Sequence, residues 1–165
     1  MNIILHEPEI PQNTGNIGTC VATGTSLHLI EPLGFKIDDK SLKRAGMDYW
    51  KDLDVHYYTN FQDFLNKNPN ANIYMATTKA LNTYSDVKFK DDDFIMFGSE
   101  GSGIPEEILL HYKDNSIRIP MLEQYRSLNL SNSVAIVLYE ALRQNSFKGC
   151  QMEGHLHRHS WSEAE

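Results

Sequence analysis

At 165 residues, 41% hydrophobic and 22% charged, the chain has the composition of one globular domain, and a domain of this size buries roughly 70% of its unfolded surface. No apolar run approaches the roughly 20 residues of a bilayer span, and Met1 leads directly into a strand-like segment without the basic and apolar regions of a secretory signal, so a cytoplasmic protein with no membrane partner is expected. The formal net charge of −7 argues mildly against a nucleic-acid partner, but its distribution matters more: acidic residues gather at Asp91-Asp92-Asp93 and in the last few positions, whereas Lys36, Lys40, Lys43, Arg44 and Lys51 fall close together.

In chain order, the apolar run from Asn2 to His6, ended by Glu7-Pro8, reads as a buried strand and a turn. Pro11-Gln-Asn-Thr-Gly-Asn16 is a loop, with Asn13 or Thr14 as N-cap of a helix reaching about Gly24. Leu27 to Ile30 is a second strand, and Asp39 can cap a helix through Gly46 that carries the basic residues. Val55 to Tyr58 is a third strand; Phe61, Phe64 and Leu65 follow at helical spacing until Pro69-Asn70. Ile73 to Thr77 and Phe94 to Phe97 are the fourth and fifth strands, Pro105 opens a short helix to Leu110, and Ile117 to Ile119 is the sixth strand. The last helix runs from Leu130 to about Asn145, with Val134, Val137, Leu138, Ala141 and Leu142 on one apolar stripe.

Strands alternating with helices predict an α/β fold with a mostly parallel sheet flanked by helices. Apolar strands such as Ile3-Ile4-Leu5 suit a sheet covered on both faces. One domain over residues 1–149 and a polar tail over 150–165 are expected.

Ligands of such sheets bind in the loops beyond the carboxyl ends of the strands, and three of those loops are unusual. Phe97-Gly-Ser-Glu-Gly-Ser-Gly-Ile-Pro105 follows a strand directly; its glycines allow close backbone approach to a ligand, although it is neither a Walker loop nor Gly-x-Gly-x-x-Gly. Its Glu100 could accept hydrogen bonds from a ribose or a base; a surface turn is the plainer reading. Pro120 to Asn129 leads into the last helix, where Ser127, Asn129, Ser131 and Asn132 are more polar than one N-cap requires, and backbone N–H groups at that helix start could hold ligand oxygens. The Asn13-to-Asn16 loop is a weaker signal. His6, His28, His56 and His111 are scattered and read as packing or surface histidines, and His155, His157 and His159 as a solvated terminus, so no metal is expected. Cys20 and Cys150 lack metal-ligand spacing and read as reduced thiols.

Together these segments resemble the SPOUT superfamily of RNA methyltransferases, and within it the YibK/TrmL-type tRNA 2′-O-methyltransferases. The stretches that carry the resemblance are Glu7 to Ile17, Leu27 to Phe35, Phe97 to Glu100 with Gly103-Ile-Pro105, Ile117 to Met121, Arg126 to Asn132 and Tyr139 to Gln144. The resemblance implies a homodimer joined through its first and last helices, near Val21 and Leu138, and a C-terminal trefoil knot, a rare exception to unknotted topology. It implies S-adenosylmethionine as cofactor, bound by Ala76, Thr77, Gly98, Glu100, Gly103, Ile119, Ser127 and Asn129. The implied substrate is the wobble nucleotide in the anticodon arm of tRNA, in leucine tRNAs for the YibK/TrmL type. RNA would meet Asn13, Asn16, Lys43, Arg44 and Arg126, and the reacting centre would hold Arg126, Asn129 and Tyr139.

The chain departs from the family pattern twice. Where the family reads Gly-Asn-Ile-x-Arg-Thr-Cys, this chain reads Gly15-Asn-Ile-Gly-Thr-Cys20, one residue shorter and without the arginine; one residue lost from a helix rotates every later position by about 100°. Reduced activity, compensation by another arginine such as Arg126 or Arg44, and a residue lost from the chain all fit that departure. Glu100-Gly-Ser-Gly103 stands where relatives often carry Glu-Thr-Arg-Gly or Glu-Thr-Ser-Gly. A non-catalytic RNA-binding protein on the same fold, or a plain nucleotide-binding α/β protein, are the alternatives.

Overall fold

A computed structural model describes residues 1–9, 15–34 and 52–164, with side chains in the first helix from residue 18 onward. Its strands are β1 (Asn2–His6), β2 (Ser26–Ile30), β3 (Val55–Tyr58), β4 (Ile73–Ala76), β5 (Asn82–Thr83), β6 (Phe94–Phe97) and β7 (Ser116–Arg118). The helices are α1 (Gly15–Thr23), α2 (Phe61–Lys67), α3 (Glu106–Leu109) and α4 (Leu130–Gln144), with 3₁₀ turns over Leu110–Asn115 and Trp161–Ala164. All pairings in the sheet are parallel, in the order β3-β2-β1-β6-β4-β7-β5. The α/β architecture with a parallel sheet is therefore as the residue pattern predicts. The basic helix expected over Asp39 to Gly46, and the Asn13 or Thr14 cap, lie outside the described residues.

Successive residues of a strand point to opposite faces, and the core divides accordingly. Ile3, Leu5, Leu27, Leu29, Ile95, Phe97 and Ile117 pack on one face with Val134, Val137, Leu138, Ala141 and Leu142 of α4. Ile4, Ile30, Met75 and Met96 pack on the other with Phe64 of α2. The apolar stripe predicted on the last helix is thus wholly buried. Leu138 itself belongs to the chain's own core, whereas its neighbours Ile136 and Tyr139, on the outward side of α4, are exposed.

Helix α2 begins where Asn60 Oδ1 accepts the Asp63 N–H at 2.8 Å, a cap of the usual type. Two-residue β5 was not predicted, being too short for any periodicity. It has a structural consequence: Ile117 pairs with Ala76 on one side and with Asn82 on the other. The short 77–81 connection therefore bridges from one flank of β7 to the other, and the Thr77 N–H donates to the Ile117 carbonyl at 2.9 Å as it leaves β4. Residues 151–164 are exposed throughout. Among the described residues no helix is long and apolar enough to cross a membrane.

Candidate functional site

A cavity of about 720 Å³ opens at the carboxyl ends of β4, β6 and β7, against the start of α4. Its position is the one parallel sheets reserve for ligands, and its size is within the range of small-molecule sites. Ala76 and Thr77 line it from the end of β4, Gly98, Glu100 and Gly103 from the loop after β6, Ile119 from the exit of β7, and Ser127 and Asn129 from the approach to α4. All eight residues expected around a cofactor thus meet in one cavity. Phe97, Ile117, Leu130 and Val137 supply an apolar floor.

The loop after β6 is fixed rather than loose. The Gly103 N–H donates to the Ser99 carbonyl at 2.9 Å, and the Ser99 and Ser102 hydroxyls are 2.7 Å apart. A Cβ at Gly98 would overlap the backbone of Gly103 and Ile104, so only glycine lets the loop fold back on itself there. Gly103 sits at φ +73°, in the left-handed region, which glycine enters without steric cost. The segment is thus braced by its own hydrogen bonds where it lines the cavity.

At the start of α4, Asn129 Oδ1 accepts the Ser131 N–H at 2.9 Å and the Asn132 N–H at 3.4 Å, and the Ser131 hydroxyl as well. The Ser133 hydroxyl donates to the Asn129 carbonyl at 3.1 Å. Capping therefore explains more of this polar cluster than the sequence suggested, and the Ser131 and Asn132 N–H groups are occupied by the cap rather than open to a ligand. Ser127, which takes no part in the cap, stands in the cavity wall.

Of the residues expected at the reacting centre, Arg126 lines the cavity, is exposed, and forms no ion pair among the described residues. Tyr139 does not line it; its ring is exposed on the outward side of α4. Asn13, Lys43 and Arg44 lie outside the described residues, as does the side chain of Asn16. Sequence reasoning missed Thr78 and Lys79, which also line the cavity. Lys79 Nζ reaches Glu106 Oε1 at 2.8 Å, tying the 77–81 connection to α3, and this hydrogen bond holds the Glu106 carboxyl below its usual range. Their signal was position, since both follow a strand's carboxyl end.

Shifted titrating groups elsewhere do not form a second site. Burial pushes the Cys20 thiol up to about 12, which keeps it protonated and inert; Cys20 and Cys150 are both unpaired. His28 is brought down to about 4, first by burial and then by the charge of His56, against the pull of Asp54. It lies on β2, away from the cavity, where Nδ1 meets the Tyr58 hydroxyl at 3.0 Å. Among the described residues no group of three or more histidine, cysteine, aspartate or glutamate side chains could hold a metal ion.

Comparison with known proteins agrees with this geometry. The tRNA (cytidine(34)-2′-O)-methyltransferase of Saccharophagus degradans is 46% identical over 150 residues, covering 90% of this chain and 97% of its own. A solved structure described as giving structural insights into the 2-OH methylation of C/U34 on tRNA superposes with a TM-score of 0.81 at 38% identity, over 88% of this chain and 95% of that one. The AdoMet-bound rRNA methyltransferase of Sinorhizobium meliloti superposes with a TM-score of 0.73 at 26% identity, over 86% of this chain and 55% of that one. The model of the SpoU rRNA Methylase family matches residues 1–139, and the chain belongs to that family.

Proposed function

We propose that the protein transfers a methyl group from S-adenosylmethionine to the ribose 2′-hydroxyl of the wobble nucleotide, position 34, of tRNA. The observation that carries this reading is the convergence of three separated segments, 76–77, 98–103 and 119–129, on one cavity. The cavity suits the cofactor. Its floor is apolar enough for an adenine ring, and its walls offer the backbone of a glycine loop whose fold requires glycine at position 98. A relative is named for methylation at cytidine 34, and a similar rRNA methyltransferase structure is AdoMet-bound.

Bound there, the cofactor supplies a methyl group on a positively charged sulfur, so no metal or covalent intermediate is required of the protein. The chain's own residues must hold the ribose hydroxyl in line and help it lose a proton. The position of Arg126 in the cavity wall supports it for the first task. A guanidinium remains charged, so it would anchor a phosphate or stabilise the forming alkoxide, not accept the proton. With the family's arginine absent near Gly18, this duty falls more heavily on Arg126. Asn129 holds the start of α4 beside it.

The finer reading extends to assembly and topology. The protein works as a homodimer in the cytoplasm, one domain over residues 1–149 with a polar tail, and binds the anticodon arm of leucine tRNAs, with Lys43, Arg44, Asn13 and Asn16 on the RNA side. Exposed Ile136 and Tyr139 on α4 favour that helix as part of the subunit interface, which would bring Tyr139 toward the partner's substrate. The 77–81 bridge across β7 supports a C-terminal knot.

Methylation of total tRNA with labelled S-adenosylmethionine, followed by nucleoside mass spectrometry, tests the reading. 2′-O-methylcytidine or 2′-O-methyluridine at position 34 is expected. Cofactor binding with no transfer to any tRNA would instead favour the non-catalytic RNA-binding protein.

A further inference from the structure

The carboxylate of Glu100 is turned across the sheet, toward the loop that follows β1. Strands β1 and β6 are parallel neighbours with Leu5 opposite Phe97, so the loops after them leave side by side. Glu100 Oε2 accepts the backbone N–H of Glu9 at 2.8 Å, a charge-assisted bond of the stronger kind.

The segment it holds is gripped from the other side too. The Gly34 N–H, in the loop after β2, donates to the Pro8 carbonyl at 2.9 Å. The backbones meet so closely that a Cβ at Gly34 would stand 2.7 Å from Glu9 Cα. Glu7, two residues earlier, takes φ 51°, a left-handed conformation uncommon for any residue but glycine. Residues 7–9 are thus bent and pinned between the loops of β2 and β6, and by sequence they lead into Asn13 and Asn16.

We infer that Glu100 is a positioning residue, which fixes the glycine-rich cofactor loop to the segment after β1 that leads by sequence to Asn13 and Asn16, the residues proposed to meet RNA, so that the two substrates are held in register. This inference rests on the methyltransferase reading above. It also changes the role expected for Glu100 from its sequence. A carboxylate oxygen spent on a backbone N–H of another loop acts through that loop, and its loss should be felt by the RNA more than by the cofactor.

The test compares Glu100→Ala, which removes the acceptor, with Glu100→Gln, whose amide oxygen can still accept. Three quantities are read: exchange of the Glu9 amide by NMR, the Kd of S-adenosylhomocysteine by calorimetry, and kcat/KM for tRNA at saturating cofactor. In Glu100→Ala, Glu9 exchange should quicken and kcat/KM for tRNA should fall, each by about tenfold or more, the worth of one hydrogen bond to a charged group. The S-adenosylhomocysteine Kd should stay within about threefold, because the walls of the cavity are otherwise intact. Glu100→Gln should remain near the parent in all three. A tenfold weaker S-adenosylhomocysteine Kd in Glu100→Ala with unchanged Glu9 exchange would overturn the inference and make Glu100 a cofactor contact. Equal losses in the two variants would overturn it as well. If the parent protein itself methylates no tRNA, the functional reading fails, and Glu9 exchange alone still decides whether Glu100 pins that loop.

Discussion

The two faces of the sheet are made from alternate residues of the same strands, yet they do different work. On the α2 face, His28, Tyr58, Phe64 and Phe94 form a cluster of rings 5.1–5.9 Å apart. Its polar atoms bond to one another, His28 to Tyr58 and to Asn2, Tyr58 to Asn68. On the α4 face the core is aliphatic, and at the carboxyl ends of β4, β6 and β7 it opens into the cavity. One face satisfies itself; the other leaves Ser127 and Arg126 in the wall of a cavity. Both faces carry core, but the cavity opens beside α4, and substitutions at the cavity and in the aromatic cluster should fail in different ways.

The largest effect expected is on the aromatic face. Phe64 is fully buried, and Phe64→Ala should cost about 3–5 kcal/mol in denaturant unfolding, while the folded fraction binds S-adenosylhomocysteine as before. Gly98→Ala is the mirror experiment. The new Cβ would strike Gly103 and Ile104 backbone, and a forced shift of the loop should weaken cofactor binding by about tenfold or more, that is about 1.4 kcal/mol or more. Loss of stability without loss of binding in that variant would break the comparison.

Asn129 belongs to both accounts, and its substitutions sharpen the boundary. Asn129→Ala removes an N-cap and should lower stability by about 1 kcal/mol. Asn129→Asp keeps an acceptor for the Ser131 and Asn132 N–H groups, so the cap survives; any fall in cofactor affinity in that variant measures the amide itself.

The smallest effect near neutral pH belongs to His28. Its pKa in the folded protein, about 4, lies below the ordinary 6.5, so the unfolded chain binds the proton more readily. The contribution of neutral His28 is complete above about pH 6.5 and is lost as pH falls toward about 4. His6, lowered mainly by burial, acts in the same direction. His28→Gln should flatten the fall of Tm between those pH values without moving the S-adenosylhomocysteine Kd.

Much of this division was readable from the residues. Ile3-Ile4-Leu5 and Ile95-Met96-Phe97 are apolar at every position because both faces are covered, and the stripe on α4 keeps its helical spacing in the folded chain. The glycines at 98 and 103 marked the cavity because they do what other residues cannot. Other features were hidden for physical reasons. β5 is two residues long and exists only because β7 lies beside it. The partners of Glu100 and Lys79, Glu9 and Glu106, are set by neighbouring loops, and no local pattern encodes them. The polar start of α4 looked like a ligand site throughout, and half of it proved to be a cap, because Ser and Asn serve both purposes with the same atoms.

The cavity beside α4 is the proposed cofactor site. Calorimetric titration of S-adenosylhomocysteine into the parent protein, Phe64→Ala and Gly98→Ala, each below its unfolding temperature, tests it most directly. One ligand bound per chain is expected in the first two, with clearly weakened binding in Gly98→Ala. Undiminished binding in Gly98→Ala, or no binding by the parent protein, would contradict it.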